Sequence, residues 1–223
     1  MDAARAFYAA VVGATPPVVR LPWAAAARGA PAHWLGHIGV PEVGATVKRF
    51  VAEGGERLGP MQPTEDGAEL AVLRDPFGSV IGVRPEIEAP SSMVAWHQLH
   101  THDQEQAFSF YADLFGWRGV DALAKDDERY LIFAWDSVAP PIGTIANTVA
   151  SRRGVHPHWL YYFSVPDLDA SLARAAELGG ELLDGPRRLP RGTRIAVCHD
   201  PQGAEYGLRE RPPSPPPPLR AVT

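Results

Sequence analysis

Apolar residues recur at two spacings along this chain, and the switches between them set out its elements. "VAWHQLHT" (Val94–Thr101), bounded by Ser91-Ser92 and by Asp103, predicts a short β-strand. From Asp103 the spacing changes: Ala107, Phe108, Tyr111, Leu114 and Phe115 recur at helical intervals, and Gly116 ends the run. Asp103 is the expected N-cap, with Gln106 three residues on to complete a capping box. "RYLIFAW" (Arg129–Trp135) and "IGTIANTV" (Ile142–Val149) predict further strands, separated by the break at Pro140-Pro141. The pattern then starts again. "HWLYYFSV" reads as a strand, and Asp167 caps a helix carrying Leu168, Leu172, Ala175 and Ala176 before Gly179-Gly180 stop it. "GELLD", "RIAVCHD" and "AEYGLRE" read as strands, the last two joined by the turn "DPQG".

A longer repeat runs through the whole chain. "HWLGHIGVPEVGATVKRFVAEGG" begins at His33, and "HWLYYFSVPDLDASLARAAELGG" begins at His158, 125 positions on. Without a gap, 19 of the 52 positions from His33–Arg84 match His158–Arg209, including Asp75-Pro76 on Asp200-Pro201 and Gly82 on Gly207. "FYAAVVG" (Phe7–Gly13) echoes "FYADLFG" (Phe110–Gly116) at the shorter offset of 103. The first copy starts at this helix and has only "PPVVRLPWAAAARG" where strands should follow. Such self-similarity is the signal to settle first.

Each long repeat therefore holds two βαβββ units. A single unit leaves one sheet face uncovered, so two must pair. The expected fold is α+β: tandem βαβββ modules paired into half-closed eight-stranded sheets, helices outside, with the first domain degenerate. The domains expected are residues 1–88, truncated and lacking the first strand, and 92–211, complete. The linker falls near Glu86–Met93, and 212–223 form a proline-rich tail. The missing strand leaves a sheet edge open in the first domain, a route to a homodimer.

Composition narrows the function classes. Hydrophobic residues make up 45 %, enough for a core, and the net charge of −5 argues against a nucleic-acid partner. No apolar run approaches the roughly 18 residues a membrane helix needs, so no membrane partner is expected. The single cysteine, Cys198, excludes an internal disulfide and suits a reducing cytoplasm.

"WHQLHTHDQEQAFSFYADLFGW", the His158–Gly180 stretch and "DPQGAEYGLRE", taken together and in this order, resemble the vicinal oxygen chelate superfamily, which includes glyoxalases, extradiol dioxygenases and bleomycin-resistance proteins. The pattern is similar to the bacterial branch with two tandem glyoxalase-like domains. The resemblance covers all but the tail. It implies a divalent metal on the concave face, held by His, Glu or Gln from the first and last strands of each unit. The matching positions here are Trp96, Leu160, Gly207 and one near Gly143, with Leu35 and Gly82 in the first copy. None of these offers a ligand, so neither a metal at the usual positions nor another cofactor is expected. His100 and His102, two apart in "HQLHTH", are the alternative for zinc or copper.

Strand alternation selects the cavity face: Trp96, Gln98, His100, Tyr162, Ser164, Glu205 and Arg209, with His97, Leu99 and Thr101 toward the helices. Glu205 and Arg209 either pair across Gly207 or leave Arg209 to clamp a ligand carboxylate. The two "HW" pairs suggest a packing or hydrogen-bonding task. The first expectation is a metal-free binding protein for a small organic ligand. The alternatives are a metal-dependent lyase, isomerase or dioxygenase with displaced ligands such as His100 and Glu205, and an interaction module using the open edge.

Overall fold

The computed structural model describes residues 1–27, 29–63, 67–87, 93–125, 128–137, 139–151, 155–189 and 192–211. Most of the expected linker (residues 88–92) and the tail from 212 lie outside these. The first copy supplies α1 (Asp2–Val12), α2 (Trp23–Ala27), β1 (His37–Val40), α3 (Val43–Ala52), β2 (Glu56–Arg57), β3 (Gln62–Pro63), β4 (Glu69–Arg74) and β5 (Val80–Pro85). The second supplies β6 (Val94–His100), α4 (Gln104–Phe115), β7 (Arg118–Lys125), β8 (Glu128–Ala134), β9 (Gly143–Ala146) and α5 (Thr148–Ser151). It continues with β10 (His158–Val165), α6 (Leu168–Glu177), β11 (Glu181–Arg188), β12 (Arg194–His199) and β13 (Glu205–Glu210). No helix among the described residues is long and apolar enough to cross a membrane.

The local signals do what their chemistry predicts. The Asp103 carboxylate accepts the Glu105 and Gln106 amides at the start of α4, and the Gln106 side chain donates back to it. Asp167 accepts the Ala170 amide at the start of α6, and Gly116 closes α4 at φ 75°. Two features are absent from the hydropathy pattern. β7 mixes Val120 and Leu123 with Arg118, Asp121 and Lys125, so no clean two-residue alternation marks it; its pairing with β8 at the sheet end makes it a strand. The run expected as one strand over Ile142–Val149 stops at Ala146. There Asn147 turns its side-chain oxygen to the Gln104 amide, and a short helix follows. Phe110 and Ser171 are buried on α4 and α6, whereas Ala176 is exposed.

The second copy forms one eight-stranded sheet in the order β11-β12-β13-β10-β6-β9-β8-β7. Its seam is the antiparallel pair β6–β10, with Trp96 opposite Tyr162, Gln98 opposite Leu160 and His100 opposite His158. On each side the first strand of a module lies parallel to its last, β6 on β9 and β10 on β13. The first copy forms a five-stranded sheet, β1-β5-β4-β2 with β3 also on β4. It is degenerate as expected, and β1 ends that sheet, pairing only with β5 among the described residues.

The two copies lock together through their helices. α1 packs on α6 and α3 on α4. The hydroxyl of Tyr111 on α4 accepts the Trp159 indole N–H at 3.2 Å and donates to Asp75 of the other copy at 2.8 Å. Tyr8 on α1 repeats this, accepting from Trp34 at 2.9 Å and donating to Asp200 at 2.8 Å. Each aspartate also receives amides of its own turn: Phe77 and Ser79 for Asp75, Gln202 and Ala204 for Asp200. All four polar residues of these two bonds are buried. The duplicated "FY", "HW" and "DP" are thus the members of two Trp–Tyr–Asp triads, each drawing its aspartate from the opposite copy. Burial, then the nearby carboxylate, pushes both phenols far above the usual tyrosine range, which keeps them as donors.

Removing either hydroxyl leaves a buried carboxylate and an indole N–H short of a partner, which costs about 1–3 kcal/mol. Tyr8→Phe and Tyr111→Phe should each lower stability in urea by that amount. Unfolding curves unchanged within about 0.5 kcal/mol for both would remove the triads as the lock.

Candidate functional site

Side-chain alternation along β6, β10 and β13 divides the eight-stranded sheet into two faces. Leu99, Tyr161, Phe163, Tyr206 and Leu208 go to the core under the helices. Leu160, Tyr162, Ile195 and Val197 form a separate apolar floor on the concave face, with Trp96 and Leu189 packed beside it. All seven residues selected from the sequence lie on strand positions of this concave face.

Tyr162 anchors the floor at 2 % exposure. Its ring lies across Gly207, where a Cβ would overlap it, and its hydroxyl donates to Gln98 Oε1 at 3.1 Å. Burial raises its pKa far above the ordinary value, keeping it a neutral donor. Trp96 donates its indole N–H to Thr144 Oγ1 at 3.3 Å. The Arg209 guanidinium stands 4.7 Å from the centre of the Trp96 ring, a cation–π contact of the kind that contributes roughly 0.5–2 kcal/mol. Ser164 accepts a hydrogen bond from Arg211 Nε at 3.1 Å.

At the other end, His100 and His158 stack with centroids 4.6 Å apart and planes 15° off parallel. His100 Nδ1 bonds the Thr148 hydroxyl. His158 Nδ1–H donates to the His156 carbonyl at 2.7 Å, and its Nε2 faces Glu205 at 3.8 Å. The alternative in which Glu205 pairs with Arg209 is therefore not realised: Gly207 separates them, and each has a nearer aromatic partner. His158, Thr144 and Thr148 belong to this face and escaped the sequence reading. His158 was legible only as half of an "HW" pair. Its task turns on register, since it sits opposite His100 and beside β13.

His102 is exposed beyond the end of β6, so it does not share a site with His100. In the first copy the His37 ring lies across Gly82, as Tyr162 does across Gly207. Burial, and then the charge of Arg84, lowers the His37 pKa.

The register also identifies the fourth metal-ligand position implied by the resemblance. Gln98 and Tyr162 each precede a capping aspartate by five residues, and they pair with Thr144 and Gly207. The position is therefore Thr144, whereas Gly143 faces Phe133 in the core. The four positions hold an indole, a hydroxyl, an isobutyl group and a hydrogen atom. This donor set does not fit a divalent cation, which takes imidazole, carboxylate or thiolate groups converging on one point. Among the described residues no three His, Cys, Asp or Glu side chains converge in that way.

Burial acts to lower the His158 pKa, but the Glu205 carboxylate and the His156 carbonyl outweigh it, and the net shift is upward from 6.5. Burial acts to raise that of Glu205, and His158 outweighs it, so the net shift is downward from 4.5. The raised histidine stabilises the fold below pH 6.5 and loses that contribution as pH rises through its folded value. The depressed glutamate stabilises above pH 4.5 and loses it as pH falls. The pair thus contributes most between those two values. An NMR titration should place the His158 midpoint above 6.5, and Glu205→Gln should bring it down; an unmoved midpoint would dissolve the pair.

Residues 94–206 match the family model described as Glyoxalase/Bleomycin resistance protein/Dioxygenase superfamily. The chain is 28 % identical over 196 residues to the putative glyoxylase CFP32 of Mycobacterium tuberculosis, spanning 82 % of this chain and 71 % of that one. It is 31 % identical over 189 residues to the anthracycline biosynthesis protein DauV of a Streptomyces species, spanning 82 % of this chain and 67 % of that one. Among solved structures, methylmalonyl-CoA epimerase from M. tuberculosis aligns with 57 % of this chain and 95 % of its own, at 24 % identity and a TM-score of 0.43. With a family model over half its length and a relative above 30 % identity, the chain belongs to the glyoxalase/bleomycin resistance protein/dioxygenase superfamily.

Proposed function

We propose that the concave face of the eight-stranded sheet binds a small organic molecule directly, without a bridging metal. The observation that carries this reading is the exchange at the four family positions: Trp96, Thr144, Leu160 and Gly207 stand where the superfamily places cation ligands. Around them Gln98, His100, Tyr162, Ser164, Glu205 and Arg209 supply the mixture of rings and few polar groups that a small-molecule site needs. Superfamily members bind small-molecule ligands, which agrees with this use of the face. The complete domain at residues 92–211 carries the site, and residues 1–88 serve as its support.

The second reading is a metal-dependent lyase, isomerase or dioxygenase with displaced ligands. The closeness of His100, His158 and Glu205 favours it, as does a relative named a putative glyoxylase. The stacked imidazoles weigh against it, because nitrogens in parallel planes do not point at one centre. Pairing of two copies through the outer edge of β1 is a separate proposal. It predicts a dimer in sedimentation equilibrium, broken by His37→Pro.

Relatives named anthracycline biosynthesis proteins make an anthracycline the first probe to try. Titrated into untagged chain in the presence of a chelator, it should bind saturably. Trp96→Ala should weaken it at least tenfold in a chain that circular dichroism shows to be still folded. A stoichiometric divalent metal that is lost in His100→Ala, together with binding abolished by the chelator, would replace this reading with the second.

A further inference from the structure

We propose that the ligand of this face is a small organic acid, with its carboxylate taken by Arg209 and its apolar body lying along the Trp96 side of the cup. The inference rests on the reading of the concave face as the ligand site. Arg74, Arg174, Arg187 and Arg194 each meet a carboxylate within 4 Å. Arg209 meets none among the described residues, although it is half-buried and projects from the middle of the sheet. The acid on its own strand, Glu205, is turned to His158. Arg187, whose charge acts on Tyr162 of the same floor, is already matched by Asp184 at 3.0 Å. Arg209 has the flat face of Trp96 instead.

A guanidinium carries its N–H groups in its own plane, two of them along each edge. Such an edge is the fork which recognises a carboxylate through two parallel bonds. A half-buried cation with no carboxylate beside it among the described residues is costly to maintain, and burial lowers its pKa. An anion from the ligand removes that cost. A neutral ligand leaves it standing, so the site discriminates by charge. Ser164, opposite Arg209 in the β10–β13 register, is bonded to Arg211, which adds a second cation at the same end of the cup. The acidic group, Glu205, lies at the far end, so the cup is polarised along its strands.

The test is a matched pair of probes, 2-naphthoate and 2-naphthalenemethanol, titrated into the full chain by calorimetry at low salt. The acid should bind at least tenfold tighter than the alcohol. Arg209→Gln should cut affinity for the acid tenfold or more and affect the alcohol far less, so that the acid's advantage is lost. If that variant does not fold, the probe pair on the unaltered chain still decides, together with loss of the acid's advantage at high salt. Equal binding of both probes, or an Arg209→Gln preference like that of the parent, would overturn the acid assignment and leave the ligand site standing. Binding of neither probe would overturn both.

Discussion

A tyrosine hydroxyl shared between an indole and a carboxylate from the opposite copy is the contact on which the rest of this molecule depends. Trp159, Tyr111 and Asp75 make it once, and Trp34, Tyr8 and Asp200 make it again. Each hydroxyl uses both its donor and an acceptor lone pair, and each aspartate uses its other oxygen to hold its own turn. Such networks are worth most when every member is satisfied. Because each triad needs both copies, the five-stranded sheet of the first copy is held against the second. Its helix α1 and its Asp75 turn complete the support of the second copy.

β10 transmits this lock to the concave face. Its alternate residues Trp159, Tyr161 and Phe163 lie in the shared core, and the Tyr161 hydroxyl accepts the Gly36 amide of the first copy at 2.9 Å. The residues between them, Leu160 and Tyr162, form the floor of the cup. A strand fixed on one face by hydrogen bonds to the other copy holds its second face to a narrow set of positions. Tyr162 then fills the space over Gly207, and the same exchange of ring for side chain recurs between His37 and Gly82. In both copies the glycine at the family's last-strand position is matched by a ring on the neighbouring strand. A side chain there would displace that ring.

The chemistry of the cup follows from which charges found partners inside the protein. Glu205 settled with His158, Arg187 with Asp184 and Arg211 with Ser164. Arg209 lies over an aromatic face and meets no carboxylate among the described residues. Polar groups that are internally satisfied set the shape of this face.

Much of this was written in the sequence, because the signals are local or periodic. The capping aspartates Asp103 and Asp167, the glycine stops and the two-residue alternation depend only on neighbours along the chain, and they assigned elements and faces. The repeat established two related units and marked "FY", "HW" and "DP" as positions with a task. What the task was could not be read there, since Tyr8 meets Asp200 across 192 positions and no periodicity encodes that contact. β7 was silent because an edge strand with one partner does not require an apolar face. Alternation says which way Trp96, Glu205 and Arg209 point, but a side chain's neighbours depend on strand register. Register is set by how whole strands pair, so only the folded sheet decided that histidine takes the acid and tryptophan the cation.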